Sequence, residues 1–583
     1  MIYLNAQSVS TNEYESDLFG ANILASRDQI GEDGTYDEAA AQLGVENMRY
    51  PGGSLTEDYF DLSNPDATEA IDPDTGRTVE LLPYTEFMNY AEENDIAVSI
   101  VLPTRNYLSD NTDGNGHRYV DIDEPELRSF IQDTLDGEYG APTIKSFEVG
   151  NEYWGSGEMS SLEYGRVSAR MAEILADEIS NHPNAEVFED LDVLVQNGQN
   201  YGTAKLNGEY NHLTTGEQQL AAINEDYGLN LSDEDYIFNS GDVAWPKVAN
   251  AIILSEYDTD AEREAVDGLS VHIYSKGADR PNSREYDLRT VDQTWMEELG
   301  DDLSISVTEW NLKASRTGWD PEEEYGLKQA HEMLNMTEDF VAHGVDAGYV
   351  WAVQQNNLTN LSGNEGDEFT PRVPGEMFRW MNESLPDMQS ISFQDDRSDE
   401  TEEVAEDTSV HAFYDEDRFV SFIASNVDED LTSEVDFTQI FADSSSIHIE
   451  VLGVLAGQNP TSPEATAQIR TIDPEEAFED GVLSVDLNPY EIIRVVVEEP
   501  DYTNGFDALV DAMLGGSSDT TPGDIPTIPE TDDPDRAAEG EGDEDVEEPH
   551  AASAAGDGGG SDMGGLGALL GLLPLLALLG GGF

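Results

Sequence analysis

The sequence predicts an α/β protein: a (β/α)8 TIM barrel, then a C-terminal antiparallel β-sandwich, then a disordered acidic tail. Three observations predict this. Residues 18–384 carry eight apolar runs, most of them separated by helical stretches. Residues 385–499 carry short β-rich runs with polar turns between them. Residues 500–562 are acidic and rich in Pro, Gly, Ser and Thr.

In chain order, residues 1–17 alternate polar and apolar, as a strand that could join the sandwich would. The first buried run is 18–25. A helix is expected over 37–44, and NMRYPGG (47–53) reads as strand two ending in a glycine turn. Residues 84–94 are amphipathic, and AVSIVLPT (97–104) is strand three. IKSFEVGNE (144–152) is strand four, followed by a long helix over 161–180. Strands five, six and seven are 191–199, 268–274 and SISVTEWN, 304–311. A helix around 322–343 leads to strand eight, 347–354. Near-continuous apolar runs suit parallel strands covered on both faces. The excess length sits in 54–83, 105–143 and 200–265, after strands two, three and five, so these segments should border the mouth of the barrel. In the sandwich the clearest strands are 419–426, 446–455 and 491–499.

Composition limits the partners. The 583 residues hold 124 acidic and 26 basic side chains, a formal net charge of −98, and no cysteine. Disulfides, thiolate metal sites and cysteine nucleophiles are therefore excluded. The field repels nucleic acid and anionic membrane surfaces. It suits a soluble protein in salty water, and it leaves calcium as a candidate partner. The loop SDNTDGNG (109–116) resembles a calcium loop but lacks the spaced terminal Glu, so it reads first as a surface turn.

Chemistry concentrates at the strand ends, which face the active site in such a barrel. Strand two offers Arg49, strand four Asn151 and Glu152 with Trp154 beyond, and strand six His272 and Tyr274. Strand seven offers Glu309, and strand eight Trp351, Gln354 and Gln355. Two carboxyl groups among aromatic and amide side chains suit glycoside hydrolysis, with one as acid and the other as nucleophile or base. Aromatic faces stack on sugar rings, while Asn, Gln, His and Tyr fix hydroxyls. The competing reading makes Glu152 and Glu309 structural carboxylates, Arg49 a member of a buried structural ion pair, His272 a core histidine, and Trp154 and Trp351 packing groups.

The motifs RYPGG (49–53), GNE (150–152), HIY (272–274) and TEWN (308–311) resemble those of the clan A retaining glycoside hydrolases. Within that clan the chain is most similar to the family 51 α-L-arabinofuranosidases, with family 39 and the heparanase-like enzymes next. The resemblance implies Glu152 as acid/base and Glu309 as nucleophile. It implies Arg49 as the charge that holds Glu309 ionised, Asn151 as a binder of the sugar 2-hydroxyl, and Tyr274 as a hydrogen-bond donor to Glu309. No cofactor and no metal-ligand set is expected. Two positions depart from the arabinofuranosidase pattern. Ser54 stands where those enzymes have Asn, and strand one lacks their sugar-binding glutamate, Asn22 being the nearest polar residue. The expected activity is retaining cleavage of O-glycosidic bonds in a polysaccharide or oligosaccharide, arabinofuranosidase- or xylosidase-like. The alternative is a non-catalytic, adhesin-like carbohydrate-binding surface protein on the same barrel.

The termini bear on location. MIYLNAQSVSTNEY lacks the basic and apolar regions of a cleaved signal peptide. Residues 564–583, GGLGALLGLLPLLALLGGGF, are uncharged and leucine-rich, within a tail taken as 563–583. They read as a membrane anchor, a C-terminal export signal or a low-complexity tail. The first two put the barrel outside the cell or on its surface.

Overall fold

The computed structural model describes residues 1–514 except 32–33, 73–74, 317, 355–356, 364–369, 394–406 and 444–445. Gln355, most of the acidic linker and the leucine-rich tail lie outside the described residues. Among the described residues, no helix is long and apolar enough to cross a membrane.

Eight parallel strands close into a barrel: β1 (Gly20–Asn22), β2 (Asn47–Tyr50), β3 (Ala97–Leu102), β4 (Ile144–Val149), β5 (Asp192–Gln196), β6 (Gly268–Ser275), β7 (Ser304–Leu312) and β8 (Ala347–Val350). Each falls on one of the eight expected runs. Closure comes from β8 pairing with β1, Tyr349 opposite Gly20 and Val350 opposite Ala21. The strands read as apolar because both faces are covered. Val98, Ile100, Phe147, Val193, Leu269 and Val307 have no exposed surface.

Local sequence sets the helix ends. Helix Ser161–Asn181 starts in a capping box, in which Ser160 accepts from the Glu163 amide while the Glu163 carboxylate accepts from the Ser160 amide. Helix Tyr36–Leu43 stops at Gly44, whose left-handed φ of 75° suits glycine. The helix expected from residue 322 begins at Leu327 instead. The Tyr325 and Leu327 amides are taken by the Thr461 and Pro460 carbonyls, so the preceding turn is held by the sandwich side rather than wound into helix.

The three inserted segments are only partly loops. Residues 54–83 form helix Leu55–Tyr59 and a small hairpin, Glu69–Ile71 with Thr78–Glu80. Residues 105–143 form the hairpin Leu108–Thr112 with Arg118–Val120, then the barrel helix Glu124–Leu135. Residues 200–265 hold five helices with their own apolar cluster, including Leu206, Leu220, Ile223, Val248 and Ile252. In the calcium-like loop, the Asp113 carboxylate accepts from its own turn at Asn115 and His117 and from Arg166 at 2.8 Å.

The second layer is a sandwich of a seven-stranded and a four-stranded sheet. The larger sheet runs Ala6–Glu13, Gln389–Phe393, Thr408–Tyr414, Arg418–Ser425, Ile492–Glu498, Ser446–Val454 and Ala467–Ile472. The N-terminal segment does join it, pairing antiparallel with Gln389–Phe393. Between the sheets lie Val9, Phe419, Ile423, Phe437, Val451, Leu483 and Ile493. The other face of the larger sheet meets barrel helices. Phe413, Phe422 and Leu452 share a core with Phe378 and Trp380, and His411 reaches His331 at 3.0 Å. One expectation is corrected: residues 501–514 are not linker. Asp501–Tyr502 pairs with Phe441–Asp443, and helix Asn504–Leu514 follows. The reason is apolar: Phe506 is buried against Tyr414 and Tyr502.

Candidate active site

β4 ends at Val149, and the chain then turns sharply. Gly150 has φ 80° and Glu152 φ 43°, a left-handed conformation rare for a glutamate and costly without supporting structure. The support is visible. Glu57, from the helix after β2, accepts from the Thr104 and Arg105 amides at 2.8 Å each and from the Asn151 amide at 2.9 Å. One buried carboxylate thus ties the ends of β3 and β4 to the β2 loop. Burial raises the Glu57 carboxyl above its ordinary range, while these backbone donors hold it back.

β7 delivers Glu309 by a different device. Val271 pairs with Val307, but His272 pairs with Glu309, so β7 gains one residue, Thr308, against β6. Such bulges re-aim side chains at active sites. Here the consecutive residues Thr308 and Glu309 both reach partners in the barrel interior. Thr308 Oγ1 lies 2.7 Å from Ser270 Oγ, and Glu309 Oε1 accepts from Arg49 Nη1 at 3.0 Å. The other Glu309 oxygen accepts from the Tyr274 hydroxyl at 2.8 Å.

The two glutamates face each other. A carboxyl oxygen of Glu152, one of Glu309 and a ring nitrogen of His272 lie within 4.8 Å of one another. His272 Nδ1 stands 3.4 Å from Glu152 Oε1 and 3.6 Å from Glu309 Oε2. Glu309 is 5% exposed at its side chain and Glu152 36%, so the first is sheltered and the second opens to the mouth. Burial raises the Glu309 carboxyl, and Glu152 adds to that. His272, Arg49 and the Tyr274 hydrogen bond pull it back, and the balance stays above the ordinary value. Arg49 therefore works against burial rather than holding Glu309 low. Burial lowers the His272 imidazolium, but Glu309 and Glu152 more than offset it, so His272 is raised. Among the described residues this trio is also the one cluster with the spacing of metal ligands. Both Glu309 oxygens, however, are already bound by Arg49 and Tyr274.

Arg49 is fully buried and makes five hydrogen bonds. Nε and Nη2 grip Glu148 at 2.6 and 3.1 Å, Nη2 also reaches Asn151 Oδ1 at 2.8 Å, and Nη1 serves Glu309 and, at 2.9 Å, Asn22 Oδ1. Burial lowers the guanidinium, and Glu148 and Glu309 outweigh that to leave it raised.

Of the other expected residues, Asn151 turns its Oδ1 to Arg49, and its Nδ2 is buried without a protein partner. That leaves a donor for a ligand hydroxyl. Trp154 packs edge-on against Tyr153 and His272. Trp351 is 8% exposed, packed with Leu24, Leu55 and Ala352, so little of its face is free. Gln354 is buried, with Oε1 accepting from Thr35. Asn22 does not stand in for a sugar-binding glutamate, because its amide is spent on the Thr308 carbonyl and on Arg49. Asn311 is scaffold, donating to the Trp351 and Thr359 carbonyls. Sequence reasoning missed Glu148, Ser270, Thr308 and Glu57. Glu148 is the one charge inside an otherwise apolar stretch, FEVG, and that was the available signal.

No family model matches the chain, and no curated protein matches it in sequence. Solved structures do match in shape. A GH51 arabinofuranosidase from Xanthomonas axonopodis pv. citri aligns over 84% of this chain and 99% of its own, at 12% identity and a TM-score of 0.54. An α-L-arabinofuranosidase from Thermotoga maritima aligns over 85% and 99%, at 13% identity and a TM-score of 0.54. The chain has the fold of these hydrolases. A 4-O-α-L-rhamnosyl-β-D-glucuronidase from Fusarium oxysporum 12S shares it too, over 85% of this chain and 100% of its own, at 10% identity and a TM-score of 0.50.

Proposed function

We propose that the protein is a glycosidase that cleaves O-glycosidic bonds in polysaccharides or oligosaccharides with retention of configuration, arabinofuranosidase- or xylosidase-like. The observation that carries this is the approach of Glu152 and Glu309, with facing oxygens within 4.8 Å. Retaining enzymes hold their carboxyl groups about 5–5.5 Å apart, and inverting ones about 6.5–9.5 Å. A binding protein that merely kept the barrel has no need of this close, costly pair.

The chemistry runs in two displacements. Glu309 attacks the anomeric carbon as its bond to the leaving oxygen breaks, and Glu152 gives that oxygen its proton. The result is a glycosyl ester on Glu309. Glu152 then takes a proton from water, the water oxygen attacks the same carbon, and Glu309 leaves as carboxylate. Arg49 and Tyr274 receive the returning negative charge. Asn151 Nδ2 is the donor for the sugar 2-hydroxyl.

Aryl glycosides and plant- and algal-type polysaccharides, offered to wild type and Glu309→Ala, test the assignment. Equal activity in the two proteins would end it. With Glu309→Gly, added azide should yield a glycosyl azide of inverted configuration. Action outside the cell through the C-terminal tail belongs to the same proposal. Fractionation of cells carrying the full chain or a chain stopped at residue 563 tests it, and identical distribution would count against the tail.

A further inference from the structure

The layer directly beneath the catalytic carboxyls is polar. In barrels of this kind a layer takes its side chains from alternate strands, and bulky aliphatic groups dominate. Here the even-numbered strands supply Arg49 from β2, Glu148 from β4 and Ser270 from β6, and the β7 bulge adds Thr308. Arg49 and Glu148 have no exposed side-chain surface. Withdrawing such a pair from water costs about as much as the pairing returns, and apolar side chains of similar volume often serve stability as well or better. Stability therefore does not account for the pair.

Its geometry does. Glu148 holds the Nε–Nη2 edge of Arg49, while Ser270 and Thr308 donate to Glu148 Oε1. The grip turns Nη1 toward Glu309 and places a second negative charge on the same guanidinium.

We propose that Glu148 is a positioning residue that sets the strength of Glu309 as a nucleophile, by orienting Arg49 and offsetting part of its charge. The inference rests on the reading of Glu309 as the nucleophile of a retaining glycosidase. Without Glu148 the guanidinium would stabilise the Glu309 carboxylate alone, and a carboxylate held more tightly is a weaker base and a weaker nucleophile. The other groups facing this cluster are Glu152 and Asn151 from the β4 end, and His272 and Tyr274 from β6. The phenols of Tyr349 on β8 and Tyr164 on helix 161–181 are kept neutral by burial. Loss of a negative charge at residue 148 shifts each of the acidic groups in the same direction, toward easier deprotonation.

The test compares kcat/KM against pH for wild type, Glu148→Gln and Glu148→Asp, on an aryl glycoside that wild type cleaves. The acid limb reports the essential base of the free enzyme. In Glu148→Gln it should move down by about one pH unit, and kcat at neutral pH should fall by roughly two- to ten-fold. Glu148→Asp keeps the charge and should show a smaller shift of the same sign. A loss of activity with the limb unmoved or raised would overturn the proposal, leaving Glu148 a structural residue. If Glu148→Gln does not fold, Glu148→Met, which also removes the charge at similar volume, takes its place, and an unmoved limb there has the same meaning. If wild type cleaves nothing, the glycosidase reading is what has failed. The electrostatic claim is then judged by infrared difference titration of the carboxyl band lost in Glu309→Ala. That band should titrate at lower pH in the Glu148 variants, and no change would overturn the claim.

Discussion

Gly53, in the turn after β2, meets two demands at once. Its φ is 62°, and an added Cβ would lie 2.4 Å from Trp351 Cη2. Ordinary contact begins at 3.4 Å, so in Gly53→Ala the indole or the turn must give way by about 1 Å. The indole is packed against Leu24 and Leu55, and the Trp351 amide and carbonyl are bound to Trp310 and Asn311, so the shift reaches the top of β7 and β8. The left-handed conformation costs about 1–2 kcal/mol for an L-residue, and overpacking about 1–3 kcal/mol more. A misplacement of about 1 Å near the chemistry reduces turnover on the order of a hundred-fold. Gly76 is the control: its φ is 67° and nothing lies within 4 Å of its added Cβ. Gly76→Ala should lose only the conformational cost and keep full activity. Thermal melts and kcat/KM for both variants measure the difference. Gly53→Ala with wild-type kcat/KM and a Tm no lower than that of Gly76→Ala would refute the steric account.

Other perturbations have equally definite outcomes. Arg49→Met leaves Glu148 and Glu309 buried without their cation, which should cost about 3–5 kcal/mol in denaturant unfolding. Its Glu309 carboxyl, already raised by burial, loses an opposing charge, so neutral-pH turnover should fall and recover partly toward alkaline pH. His343 is raised to about 9 by Asp292 and Glu285, which overcome its burial. A raised folded value stabilises below the unfolded value of about 6.5, and that stability is lost as pH rises through 9. The Tm gap between wild type and His343→Gln should thus be largest near pH 6 and close by pH 10; a gap constant with pH would contradict this. Mutual repulsion under a net charge of −98 should ease as salt shortens the screening length from about 10 Å at 0.1 M to about 3 Å at 1 M. Tm should climb over that range in sodium chloride, and a flat response would show that the acidic groups are already compensated.

The barrel was legible because parallel strands covered on both faces are written as apolar runs, and because an abrupt polar ending such as GNE or TEWN marks where such a run leaves the core. Those endings carried Glu152 and Glu309. What lay below them was not legible. Glu148 sits two residues inside an apolar strand, and only the closed register shows that it meets Arg49 from two strands away. Thr308 and Glu309 are neighbours in sequence, so strict alternation sends them to opposite faces. The single-residue slip between β6 and β7 cancels that, and no turn residue announces it. Glu57 is one of several acidic residues in the segment 54–83, and its value lies in three backbone amides that only tertiary structure brings to it. Phe506 shows the same limit at the sandwich: one aromatic anchor ordered a stretch whose composition resembled linker.

The sandwich strand Ala6–Glu13 pairs with Gln389–Phe393, and the whole barrel is threaded between them. The two ends of the barrel are therefore clasped by one sheet, which hinders β1 from parting from β8. The same arrangement delays assembly. On a ribosome strand Ala6–Glu13 emerges some 380 residues before its partner, so it waits through synthesis of the entire catalytic body with its edge unsatisfied. Long-range pairing of this sort folds slowly and exposes sticky edges meanwhile. Chains with a formal net charge of −98 repel one another, and that repulsion already acts on the growing chain before the catalytic carboxyls have met.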